Sequence, residues 1–299
     1  MVDKKTIEEW MKGLQDNICQ ALEQADGKGQ FHQDNWERPG GGGGRTRVLT
    51  SGNVIEKGGV NFSSVHGKAP AQLVKALEVE AGEFFATGVS IVMHPHNPHV
   101  PIIHMNVRYF EMDNGTYWFG GGIDLTPHYV VEEDAQWFHQ QLKDVCDRHH
   151  ADFYPRFKQW ADDYFYVRHR EETRGVGGIF YDRLTHAKEE GMSKEQLWQF
   201  HQEVGEAFAG IYTHLMKKYA DKPFTQEQKD WQYIRRGRYA EFNLVWDRGT
   251  KFGLETNGRT ESILMSLPPQ AEWHYDHQPE EGSPEANTLA LLRKGIDWA

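Results

Sequence analysis

Asn114-Gly115 sits between two runs of mixed polar and apolar residues, 102–112 (IIHMNVRYFEM) and 116–125 (TYWFGGGIDL). An Asn-Gly pair accepts the left-handed backbone angles of a tight turn at little cost, so the two runs are expected to fold back on each other as a hairpin. Apolar-rich runs at 45–55, 59–65 and 84–93 then read as sheet partners, and the first half of the chain reads as antiparallel sheet.

The remainder is mostly helical in pattern. Ile7, Trp10, Met11, Leu14, Ile18 and Leu22 recur near helical spacing over 6–24, behind Thr6 and Glu9 at capping-box separation. Residues 131–149 and 153–169 carry the same period. Ser193 with Gln196, and Thr225 with Gln228, mark two further helix starts. Residues 239–246 and 252–255 read as strands, 261–267 as either state, and 284–292 as a short closing helix. Pro39 and the five glycines at 40–44 read as a flexible loop, because glycine loses the most backbone freedom on ordering. No repeat or long linker divides the chain. The expectation is one α+β domain over 1–299, a large antiparallel sheet flanked by helices, with 1–35 forming an N-terminal helix and a flexible approach.

The 299 residues carry a net charge of −11, a poor match for nucleic acid, so an anionic ligand would have to be met by a local group of arginines. Cys19 and Cys146 are the two cysteines, which give neither a disulfide framework nor a zinc spacing and fit a reducing cytoplasm. MVDKKTIEEW lacks a signal-peptide apolar region, and no apolar stretch reaches the roughly 18 residues that span a bilayer. A cytoplasmic protein without a transmembrane segment is expected. The 10 Trp, 12 Tyr and 16 Phe suit either an aromatic core or the walls around a large flat ligand.

Chemistry concentrates at 90–110, SIVMHPHNPHVPIIHMNVRYF, where His94, His96, His99 and His104 alternate with Pro95, Pro98 and Pro101. Held rigid by proline, these imidazoles suit metal ligation or proton transfer, with a solvated loop as the alternative. Strand alternation puts His104, Asn106 and Arg108 on one sheet face, where they need ligand, water or carboxylate beside them. Three glycines at 120–122 precede Asp124 and allow close approach of backbone or a flat ligand. Arg168, His169, Arg170 and Arg174 form a cationic cluster, either a carboxylate clamp or helix C-terminal charge. Arg235, Arg236, Arg238 and Arg259 are further candidate anion contacts or salt-bridge partners. There is no G-x-S-x-G elbow, Rossmann fingerprint or P-loop, so no nicotinamide or flavin cofactor is expected.

Taken together, HPHNPHVPIIHMNVRYFE, WFGGGIDLTPHY, CDRHHADFYPRFKQWADDYFYVRHREETRGVGGIFYD, RRGRYAEFNLVWDRGTKFGL and GRTESILMSLPP resemble the motifs of oxygen-dependent coproporphyrinogen III oxidase, over about 36–298. The resemblance implies oxidative decarboxylation of two propionates of coproporphyrinogen III to vinyl groups. The products would be protoporphyrinogen IX, carbon dioxide and hydrogen peroxide. Molecular oxygen would be the co-substrate and no organic cofactor would be needed. It implies a homodimer, with 239–274 tied to dimerisation. By motif position it assigns His104 as proton donor and Asp124 as acceptor for pyrrole N–H groups. Ser90, Asn106, Val107 and Arg108 would line the substrate, Arg174 would bind a propionate, and Asn257, Gly258 and Arg259 would close over another. Asn257 stands where the family often has glycine. In some members a divalent ion such as manganese is held by four histidines, which fall here on His94, His104, His139 and His169; other members are metal-free.

Overall fold

The computed structural model describes residues 2–255 and 258–299. Seven strands form one antiparallel sheet in the order β1-β2-β3-β4-β5-β6-β9. They are β1 (His32–Glu37), β2 (Gly42–Thr50), β3 (Ile55–Lys68), β4 (Glu83–Pro95), β5 (Ile102–Met112), β6 (Tyr117–Thr126) and β9 (Gly177–Leu184). A separate pair of two-residue strands is β7 (Tyr166–Val167) with β8 (Glu172–Thr173). The helices are α1 (Lys4–Asp26), α2 (Ala71–Leu77), α3 (Glu132–Asp147), α4 (Phe153–Tyr164), α5 (Lys194–Tyr219), α6 (Gln226–Glu241), α7 (Arg248–Glu255), α8 (Thr260–Leu264) and α9 (Pro284–Leu291).

One face of the sheet is apolar. Val60, Phe62, Val89, Ile91, Met105, Val107, Phe119 and Tyr181 point into a core shared with Ile7, Met11 and Leu14 of α1 and Phe200, Val204 and Phe208 of α5. Each such side chain contributes about 1.5–3 kcal/mol by leaving water. Both expected capping boxes at Ser193 and Thr225 form, and they start α5 and α6. The first helix starts earlier than Thr6. Asp3 caps it by accepting from the Thr6 N–H at 2.8 Å, so Thr6 is an interior residue.

Three expectations change. The glycines at 40–44 are not a free loop: Gly42 to Gly44 open β2, between β1 and β3. The reason is space. A Cβ on Gly44 would lie 2.3 Å from the Trp36 ring, and one on Gly42 would lie 2.2 Å from the Ser64 carbonyl oxygen. Residues 239–246 are the end of α6 and a π-helical turn, Phe242–Trp246, and 252–255 belong to α7. Tyr239, Phe242 and Trp246 share a helical face, and their β propensity misdirects a local reading. The second-half sheet strand is instead β9, which opens on Gly177 and Gly178.

Candidate active site

The other sheet face is polar. Cross-strand register aligns Asn61, Ser90, Asn106, Gly122 and Phe180 in one row across β3 to β9. The next row is Val92, His104, Asp124 and Gly178, and the one on the opposite side is Gly88, Arg108 and Gly120. Gly88 and Gly122 put no side chain on this face, and the Arg108 and Asp182 side chains meet over Gly120. Apolar groups wall the face at both ends. Leu73, Phe84, Phe110 and Trp118 stand at one end, and Val92, Ile102 and Tyr239 at the other. Phe165, Phe180, Phe242 and Trp246 form the flank beyond β9. On the opposite flank the segment around α8 is fastened to β3: Asn61 donates to the Ser262 carbonyl at 2.7 Å, and Lys57 to that of Leu267 at 2.7 Å.

His104 and Asp124 are paired residues of β5 and β6, with Nδ1 and Oδ1 2.7 Å apart. Asp124 is buried, and its Oδ2 accepts from Arg174 Nη2 at 2.6 Å. Burial would raise the Asp124 carboxyl, but the Arg174 guanidinium and the His104 donor outweigh it and hold it below its usual value. The aspartate is therefore ionised, and the His104 proton sits on Nδ1. That leaves Nε2 as the basic atom of a partly exposed ring. Arg174 is itself buried, stacked among Phe165, Tyr239 and Phe242, with Nη1 donating to Asn243 Oδ1 at 2.9 Å. The π-helical turn presents both Phe242 and Asn243 to it.

This arrangement refines the sequence reading. Asp124 stands behind His104 with both oxygens engaged, not at the open face. Arg174 backs Asp124 and does not reach the open face as a propionate clamp. Val107 points into the apolar core. Ser90, Asn106 and Arg108 do share the open face. Arg259 pairs with Asp34 of β1, four strand spacings from Arg108, or roughly 19 Å. Gly258 donates its N–H to the Gly253 carbonyl at 2.7 Å, and Asn257 lies outside the described residues. Of the cationic cluster, His169 and Arg170 are taken up by Glu241. No local spacing in the sequence marks Asn243, which accepts from Arg174.

The four histidines do not form a coordination set. His139 uses both ring nitrogens, with Tyr154 and the Val176 carbonyl, each at 2.9 Å. His169 does the same with Glu241 and Trp246. His94 donates Nε2–H to the Ser266 carbonyl at 2.8 Å, and His104 gives Nδ1 to Asp124. Among the described residues no group of three or more His, Cys, Asp or Glu is placed to hold a metal ion. These residues do not fit a four-histidine metal centre.

An Asp-backed histidine and an arginine on a sheet face with aromatic walls are groups suited to acid–base chemistry on a large anionic ligand. Residues 6–298 match the family described as "Coproporphyrinogen III oxidase", and the chain belongs to that family. It is 49% identical over 307 residues to a protein of Prochlorococcus marinus (strain NATL1A) named "Oxygen-dependent coproporphyrinogen-III oxidase", covering 95% of this chain and 88% of the relative.

Proposed function

We propose that the polar sheet face binds coproporphyrinogen III and that His104 is the proton-transfer residue of its oxygen-dependent oxidative decarboxylation. Each propionate with one oxygen molecule becomes a vinyl group, carbon dioxide and hydrogen peroxide: two electrons leave the side chain and two protons and two electrons reach oxygen. The pyrrole must first become electron-rich enough to react with oxygen, which loss of its N–H proton achieves. His104 takes that proton at Nε2, and the imidazolium then gives it up as oxygen is reduced. Asp124 steadies the cation that forms. Arg108 pairs with one propionate carboxylate, and Ser90 and Asn106 contact the substrate from the same face. The carrying observation is the Asp124 oxygen 2.7 Å from His104 Nδ1 on the polar sheet face.

The stretch 239–274 is taken as the contact surface for a second copy. Leu244, Val245, Leu254 and Trp273 are exposed apolar side chains within it. Free, buried Cys19 and Cys146 fit a reducing cytoplasm. No helix among the described residues is long and apolar enough to cross a membrane.

The test is turnover of coproporphyrinogen III by chelator-treated, metal-assayed protein, in air and under argon. Vinyl product with one peroxide per vinyl in air, and none under argon, supports the reading. A folded protein that yields neither product in air overturns it.

A further inference from the structure

β9 is irregular opposite Gly120. Phe119 pairs with Leu184 and Gly121 with Tyr181, so Asp182 and Arg183 together oppose the single residue Gly120. This is a β-bulge, which inserts a residue and re-aims side chains. Arg183 adopts φ 52°, a left-handed angle that strains a residue with a side chain. Its guanidinium is held by the Leu77 carbonyl at 2.7 Å and lies over the Trp118 ring.

The result is felt at Asp182, whose Oδ1 lies 2.9 Å from Arg108 Nη2. Arg108 Nη1 donates to Asn106 Oδ1 at 3.0 Å. The bridge passes over Gly120, where a Cβ would fall 2.7 Å from Asp182 Oδ1 and 2.8 Å from Arg108 Nε. Three features therefore converge on one guanidinium: a bulge with a strained residue, a missing side chain and a carboxylate.

We propose that Asp182 is a positioning residue that holds Arg108 as a preset clamp for one propionate carboxylate of the substrate. The proposal rests on the tetrapyrrole reading above. A guanidinium has five N–H donors, and Asp182 and Asn106 engage only part of them, which leaves donors for a carboxylate. A free arginine side chain loses much rotamer freedom when it binds. Two protein acceptors settle that loss before substrate arrives. Both side chains are about one-third exposed, so screening keeps the contribution of the Asp182 contact to affinity modest.

The experiment compares D182A, D182N, R108A and D182A/R108A for fluorescence-detected binding of coproporphyrin III, alongside KM and kcat for coproporphyrinogen III. D182A should weaken binding and raise KM about fivefold with kcat changed less than about twofold. D182N, which keeps the acceptor, should recover most of the lost affinity. In the R108A background D182A should have no further effect. Tighter binding by both Asp182 variants would overturn the proposal in favour of a competing carboxylate. An equal loss with and without Arg108 would overturn it in favour of a purely structural role. Failure of the tetrapyrrole reading shows separately, as absence of coproporphyrin III binding by the unaltered protein.

Discussion

His104 and Asp124 occupy directly paired positions on β5 and β6, and their side chains meet at 2.7 Å on the polar side of the sheet. Register alone fixes this contact, since a one-residue slip would send one partner to the apolar face. The ladder thus holds the imidazole in one tautomer without help from a mobile loop. Behind it, the Arg174 guanidinium keeps the aspartate charged in a buried place.

Asp124→Asn should expose the value of that charge. General acid–base catalysis is worth about 10²–10⁴-fold, and turnover should fall toward the upper part of that range, with coproporphyrin III affinity changed far less. A change in affinity alone would contradict the role. The buried Arg174 also loses its counter-charge, so the denaturant midpoint should drop, reflecting about 3 kcal/mol or more.

Asp26 ties the end of α1 to the turn between β2 and β3. Its carboxylate accepts backbone N–H groups from Gly29 at 2.6 Å and from Asn53, Val54 and Ile55 at 2.8 Å each. Burial alone would raise its pKa, but these bonds hold it below the usual value. Asp26→Ala strands several buried donors and should lower stability by about 3–5 kcal/mol, read from urea unfolding.

Glu241 gathers His169, Arg170, Arg238 and Trp273. Burial opposes its ionised form, but Arg170, His169 and Arg238 prevail and lower its pKa from 4.5 to about 2. A depressed carboxyl contributes stability above its unfolded pKa, and that contribution is lost as pH falls through the folded value. Between pH 4.5 and about 2 the unfolded chain binds the extra proton, so stability should fall with acid. Glu241→Gln should flatten that limb of the stability–pH curve. An unchanged slope would remove Glu241 from the account.

Gly122 lies on the polar face, and a Cβ there would sit 2.3 Å from the Ile179 carbonyl oxygen of β9. Gly122→Ala must push β6 and β9 apart. It should destabilise the protein by about 1–3 kcal/mol, visible as a lower Tm. It should also weaken coproporphyrin III binding by adding a methyl group to that face.

The parts of this fold written in local pattern were legible. Asn114-Gly115 predicts the β5–β6 hairpin, and β5 spans Ile102–Met112 as the alternation implies. The two capping boxes predict the starts of α5 and α6, and alternation puts His104, Asn106 and Arg108 on one face. What was hidden depends on distant partners. The strand at Gly42 to Gly44 exists because Trp36 and Ser64 leave no room for side chains. The helical state of 239–246 is set by packing of Tyr239 and Phe242 on Arg174. Asp124 reads as a front-line acid until Arg174, fifty residues on, is seen behind it. Motif resemblance supplied the residues around the site but not their order from front to back.

His104→Asn tests most directly whether His104 moves the proton in coproporphyrinogen III oxidation. The variant should bind coproporphyrin III nearly as well as the unaltered protein while its aerobic turnover falls by about 10² or more. Turnover within a few-fold of the unaltered protein, with binding intact, would contradict the account and move the proton transfer elsewhere on the sheet face.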